Sequence, residues 1–266
     1  MNRIAALTIV VSATALVLAG CSGSADPAAA PTTTTSASTS TTTSAAPTPR
    51  PALDLSRFGA LPAVPQPTTD TVSCAYPAES PAAKEVNPPP TENVDVYGTV
   101  NVALTTNQGP IDIVLDRTQA PCTVNSVVGL AQQGYFDGSP CHRLTTSPGL
   151  EVLQCGDPSG SGRGGPGYSF ANEYPTTAYA DDPTQAQNPV VYPRGTLAMA
   201  NAGPDTNGSQ FFLVYADSVL PPQYTVFGTI SESGLATLDA IAAGGVTGGS
   251  EDGAPANPVI VESATV

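Results

Sequence analysis

The 266-residue chain holds a single histidine, His142, and it stands directly before Arg143. Between Val94 and Val266 the basic residues are Arg117, Arg143, Arg163 and Arg194. Chemistry that needs a cation or an imidazole therefore has few candidates. A Ser-His-Asp hydrolase would have to use His142, and a multi-histidine metal site is impossible. By residue type alone, a buried histidine satisfying nearby backbone beside a solvated arginine is the commoner arrangement. The pair stands out because it follows a Phe136-Asp137-Gly138-Ser139 turn on an otherwise anionic domain.

A second concentration lies in Arg194–Tyr215, RGTLAMANAGPDTNGSQFFLVY. Small residues run into a turn-forming loop with Asn201, Asp205, Thr206, Asn207, Ser209 and Gln210, which then enters an apolar, aromatic strand. A site built from backbone carbonyls and amide side chains needs such residues. Two weaker motifs carry nothing. Gly160, Gly162 and Gly165 satisfy G-x-G-x-x-G, but Pro166-Gly167 follows at once and no βαβ unit surrounds them, so a dinucleotide site is rejected. Asn207-Gly208-Ser209 is a glycosylation sequon by accident, and Asn-Gly is better read as turn chemistry.

The segments that carry these residues differ sharply in composition. Arg3 followed by the apolar run Ile4–Leu18 and then Leu18-Ala19-Gly20-Cys21 reads as a lipoprotein signal peptide over 1–20, with Cys21 as the lipidated first residue. Two or three acyl chains would anchor the chain to the outer face of a bacterial membrane, each buried methylene adding about 0.8 kcal/mol. Residues 21–70 are Ser, Thr, Ala and Pro in low complexity, and such a tract buries too little apolar surface to offset its chain entropy. It is expected as a disordered stalk, either bare or O-glycosylated. Residues 71–93 form an extension in which Cys74 and Tyr76 suggest attachment to the domain, while Asn87–Pro90 reads as a stiff linker. The domain itself is expected over 94–266. A net charge of −14 leaves no basic stripe for nucleic acid.

Apart from Cys21, Cys74, Cys122, Cys141 and Cys155 remain. An even number in an exported chain suggests two disulfides with three pairings open. No CxxC spacing supports a metal, and an oxidising setting disfavours Cys141 as a nucleophile beside His142.

Within the domain, Val94–Thr105 and Ile111–Leu115 alternate as half-buried strands joined by Asn107-Gln108-Gly109-Pro110. Pro121–Gln133 has helical spacing between an initiating proline and Gly134. Cys141–Thr145, Val152–Cys155, Thr196–Ala200, Gln210–Tyr215, Thr225–Ile230 and Pro258–Glu262 read as strands and Leu235–Ala243 as a second helix. Asp157–Gly167 reads as a loop and Ala171–Pro193 as mostly irregular. Many short strands with two helices point to a mainly β barrel or sandwich.

FDGSPCHR, VLQCGDP with its Gly-rich loop, LAMANAGPDTNGSQFFLVY and YTVFGTI occur in the order of the cyclophilin family, and Val94–Val266 resembles that family throughout. With its lipobox and stalk, the chain is similar to exported actinobacterial, mycobacterial-type cyclophilin lipoproteins. The resemblance implies an eight-stranded antiparallel β-barrel capped by two α-helices, and peptidyl-prolyl cis–trans isomerisation without metal or organic cofactor. Arg143 matches the catalytic arginine and Gln154 the glutamine that orients it. Val152, Phe212, Leu220 and either Leu150 or Glu151 match the proline pocket. Ala200 and Asn201 match the strand that hydrogen-bonds substrate, with Gln210, His142 and Tyr224 as further binding positions. The partners implied are proline-containing segments of client proteins and, through the lipid, a membrane; the chain is expected as a monomer. Aligned this way, Cys141 and Cys155 fall at the open ends of adjacent strands, leaving Cys74 for Cys122.

The chain departs from the family in places. Three extra residues separate His142 from Gln154, so the pocket phenylalanine usual there has no counterpart. Val152 stands where many members have methionine, Tyr224 where many have a pocket histidine, and Val219 near the position of a tryptophan used toward cyclosporin. Pro175–Pro193 is an insertion expected to form an extra loop. The altered pocket wall keeps a second reading in play, a proline-peptide-binding chaperone module with little turnover; a third is a stalked structural or adhesive lipoprotein.

Overall fold

The computed structural model describes residues 53–79 and 81–266. The signal peptide over 1–20, the lipidation of Cys21 and the stalk as far as residue 52 lie outside the described residues.

Alternation builds the first hairpin, β1 (Thr99–Thr106) and β2 (Gly109–Asp116). Val102, Leu104, Ile111, Ile113 and Leu115 are buried while the residues between them are more exposed, the signature of a sheet with one packed face. The turn closes at Gly109, whose φ of +128° side chains rarely tolerate. Pro121 opens helix α1 (Pro121–Gln132), where no N–H is needed. The free N–H groups of Cys122 and Thr123 donate to the Glu173 carboxylate. Strands β3 (Arg143–Ser147), β4 (Leu150–Cys155), β5 (Thr196–Met199), β6 (Phe211–Val214) and β7 (Val226–Ile230) follow. Helix α2 (Glu232–Gly244) is capped by Ser231, whose hydroxyl accepts from the Gly234 N–H. Strand β8 (Ile260–Thr265) ends the chain.

The eight strands pair antiparallel in the order β3-β4-β6-β5-β7-β2-β1-β8, with Asp252–Gly253 added beside β3 and Ser139–Pro140 beside β8. The Cys141 N–H donates to the Val259 carbonyl, and two residues later the chain enters β3. The two ends of the order are thus joined by a short stretch of chain, and the sheet curls. This is the mainly β, two-helix architecture that the resemblance implies.

Strand period two divides the sheet into two apolar faces. Leu144, Leu153, Leu197, Leu213 and Phe227 belong to the main core, together with residues of both helices. Their neighbours Val152, Ala198, Phe212, Val214 and Val226 point the other way and form a second cluster with Tyr174, Val190 and Tyr192.

That second cluster corrects two expectations. Disorder to residue 70 does not hold for residues 53–70. Gly59–Ala60 pairs in parallel with Val190–Val191, and Leu61 and Val64 pack on the second cluster. The segment has enough apolar and backbone partners to be ordered, which its Pro-rich composition hides. The insertion Pro175–Pro193 is likewise structured: it carries 3-10 turns at Thr176–Tyr179 and Gln185–Gln187 and the strand Val190–Tyr192, which sits between Gly59–Ala60 and Ser218–Leu220. The 71–93 extension pairs Thr71–Val72 with Val94–Asp95 and is joined to α1 by the disulfide Cys74–Cys122.

Candidate active site

Register aligns a row of side chains across the outer face. Arg143 on β3 lies opposite Gln154 on β4, Gln154 opposite Phe212 on β6, and Phe212 opposite Ala198 on β5. They share this face because Leu144, Leu153, Leu213 and Leu197, one residue away, fill the interior.

Beside the row is a cavity of about 250 Å³. Arg143 and Gln154 form its polar side; Val152, Phe212, Leu220 and Tyr224 form its apolar side, with Ala200 and Asn201 along one edge. Leu150, not Glu151, completes the lining. The alternation of β4 explains the choice, since Leu150 shares a face with Val152 and Gln154, and that signal was present in the sequence. The Phe212 and Tyr224 rings meet edge to face at 5.7 Å.

His142 and Gln210 do not line this cavity. Both His142 nitrogens are buried without a hydrogen-bond partner, and burial holds its pKa below the usual value. Its ring lies against the Gly-rich loop, where a Cβ on Gly162 would stand 3.1 Å from the imidazole. Gln210 instead lines an adjoining depression of about 410 Å³ bordered by Gly162–Gly167, which shares Gln154, Ala200 and Asn201 with the first.

A chain of polar contacts runs behind the cavity. Arg143 Nε and Nη2 donate to the two oxygens of Asp252, each at 2.7 Å, and Nη1 donates to Gln154 Oε1 at 3.3 Å. Gln154 Nε2 then donates to Gln210 Oε1, and Gln210 Nε2 to the Gly164 carbonyl. The hydrogen bonds from Arg143 hold the Asp252 carboxyl below its ordinary pKa, and the guanidinium is raised in turn. The loop beyond is fixed by fully buried Asp157, which accepts from Ser159, Ser161 and the Gly164 N–H. Burial alone would raise its pKa, but these bonds outweigh it and bring the value to about 2.

The opposite wall depends on the insertion. Val190 pairs with Leu220, and the Tyr192 hydroxyl donates to the Tyr224 and Pro221 carbonyls. The Asn201 side chain donates to the Gln223 carbonyl and accepts from the Gly203 N–H, fixing the segment along the cavity's edge. Cys141 and Cys155 are joined, one end of the bridge two residues before Arg143 and the other one residue after Gln154. Sequence reasoning missed Asp252 and Tyr192. Nothing in spacing pointed to a carboxylate 109 residues from Arg143, and Tyr192 was hidden in a segment read as loop. Among the described residues no group of three or more His, Cys, Asp or Glu could hold a metal ion.

Comparison with known proteins agrees with the geometry. The Mycobacterium tuberculosis (strain CDC 1551 / Oshkosh) protein named "Probable peptidyl-prolyl cis-trans isomerase B" is 60% identical over 193 residues, 72% of this chain and 63% of that protein. Its Mycobacterium leprae (strain TN) namesake is 57% identical over 201 residues, 74% of this chain and 68% of that protein. A Helicobacter pylori (strain ATCC 700392 / 26695) peptidyl-prolyl cis-trans isomerase is 39% identical over 150 residues, 56% of this chain and 83% of that one. The alignment thus spans less than two thirds of the M. tuberculosis relative's length. Residues 101–266 match the family described as "Cyclophilin type peptidyl-prolyl cis-trans isomerase/CLD". The chain belongs to the cyclophilin-type peptidyl-prolyl cis-trans isomerase family.

Proposed function

We propose that the chain isomerises Xaa-Pro bonds, with Arg143 as its catalytic residue. Amide resonance opposes rotation by about 18–20 kcal/mol, and uncatalysed exchange takes tens of seconds or more. Twisting the bond gives the prolyl nitrogen a lone pair that the planar ground state lacks. A donor at that nitrogen stabilises only the twisted state, which is the condition for raising the rate. The observation that carries the reading is an always-charged guanidinium facing the apolar wall of a cavity of about 250 Å³. Val152, Phe212, Leu220 and Tyr224 offer the proline ring an apolar seat. Gln154 orients Arg143, and the Ala200–Asn201 edge aligns the peptide backbone. Gln210 and His142 act from behind, Gln210 by holding Gln154 and His142 by packing under the adjoining loop.

The names of the relatives support the same activity. The substrates are proline-containing segments of exported or envelope proteins, and the chain works as a monomer. The signal, Cys21 lipidation and a stalk shortened to end before Leu53 would hold the domain at the outer face of a bacterial membrane. A protease-coupled assay on a Xaa-Pro peptide tests the activity: wild type accelerates isomerisation and Arg143→Ala does so far less. Equal, uncatalysed rates for both would overturn it. Retained peptide binding in that case would favour a proline-peptide-binding module, a reading kept open by the pocket departures at Val152 and Tyr224.

A further inference from the structure

Arg143 holds five N–H donors, and three of them are engaged by Asp252 and Gln154. The two that remain, one on each terminal nitrogen, are left for a ligand. Which way they point depends on what grips the other edge of the fork. That grip comes from Asp252, whose backbone is itself fixed: Asp252–Gly253 pairs with Thr145 and Leu144 of the strand that carries Arg143. The Ser250 hydroxyl donates to the Asp252 carbonyl, and the Thr146 N–H donates to the Glu251 carbonyl. The carboxylate is therefore presented by backbone pairing rather than by a free loop.

We infer that Asp252 is a positioning residue of the isomerase site, locking the Arg143 fork so that its unused N–H groups face the bound prolyl bond. The inference rests on the isomerase reading above. An arginine side chain that is 39% exposed samples many rotamers unless it is held, and orienting it before the substrate arrives lowers the barrier without tightening ground-state binding. The effect belongs in kcat more than in KM, because the apolar seat is untouched. Asp239 provides an internal control. It also makes a two-bond grip, on Arg194 through Nη1 and Nη2 rather than Nε and Nη2, at 38% and 55% side-chain exposure against 39% and 53% here, and neither partner lines the cavity.

The test is steady-state isomerase kinetics on the full chain with one Xaa-Pro peptide. Asp252→Ala is expected to lower kcat about tenfold, equivalent to 1.36 kcal/mol, with KM little changed. Asp252→Asn, which keeps an acceptor for Nε but loses the charge, is expected to fall between it and wild type. Adding Asp252→Ala to Arg143→Ala is expected to change nothing further, since the carboxylate acts through the arginine. Asp239→Ala is expected to retain the wild-type rate. A wild-type rate in both Asp252 variants, or an equal further loss in the Arg143→Ala background, overturns the positioning role while leaving the isomerase reading intact. No catalysis by wild type itself overturns the isomerase reading first.

Discussion

Two exposed ion pairs in this molecule have nearly the same distances and exposure but different surroundings. Arg143 and Arg194 each grip both oxygens of an aspartate at 2.7–2.9 Å, with similar exposure. Arg194 also donates to the Tyr215 carbonyl, and its own N–H donates to Asp217. It ties α2 to the end of β6. Arg143 instead turns its third contact to Gln154 and stands at a cavity with an apolar wall. The pair itself therefore says little about role; each arginine keeps two unused N–H groups, and the cavity in front of Arg143 decides it. Pairs this exposed contribute about 0–1 kcal/mol to stability, so conformational stability alone gives neither arginine a strong reason for its geometry.

The largest expected contrast is catalytic. Arg143→Ala should lower kcat/KM by on the order of 10²–10³, the usual loss of one transition-state donor, whereas Arg194→Ala should keep most of the activity. A comparable loss in both would break the comparison. A second contrast is covalent. The Cys141–Cys155 bridge, closing a separation of 14 residues, flanks Arg143 and Gln154 and not Arg194. Replacing both cysteines by alanine should lower stability by about 3 kcal/mol on the chain-entropy model, read by denaturant unfolding, with a larger fractional loss of isomerase rate than Arg194→Ala causes.

A third, buried carboxylate sharpens the distinction between exposed and enclosed anions. Asp157 has its folded pKa depressed to about 2 by hydrogen bonds that outweigh burial. A depressed acid binds its proton more weakly when folded, so its contribution is complete above the unfolded carboxylate pKa and is lost as pH falls toward about 2. Thermal melts of wild type should decline through that acid window, and Asp157→Asn should show a shallower decline from a lower starting point. An identical slope would remove Asp157 as the cause. The smallest expected effect is that of Asp239→Ala on unfolding, within about 1 kcal/mol; a much larger loss would mean that the Arg194 pair supports the fold in a way the Arg143 pair does not.

Much of the candidate site was readable before any fold was known. FDGSPCHR and LAMANAGPDTNGSQFFLVY marked Arg143, Asn201 and Phe212, and strand alternation would have chosen Leu150 over Glu151. Segments 53–70 and 175–193 were harder. Their composition is that of linkers, yet Leu61, Val64, Val190 and Tyr192 fill the second apolar cluster, and burial of that kind depends on a partner surface made elsewhere.

The sequence by itself determined the β and helix periods, the proline and glycine punctuation and the identity of the charged and apolar residues available, because these are properties of neighbours along the chain. Only the tertiary structure decided which aspartate holds Arg143, that Tyr192 supports the Tyr224 wall, and that His142 lies under a loop instead of in the cavity. Those contacts join residues as far as 109 positions apart. Electrostatic attraction and packing act through space, and no local pattern records them.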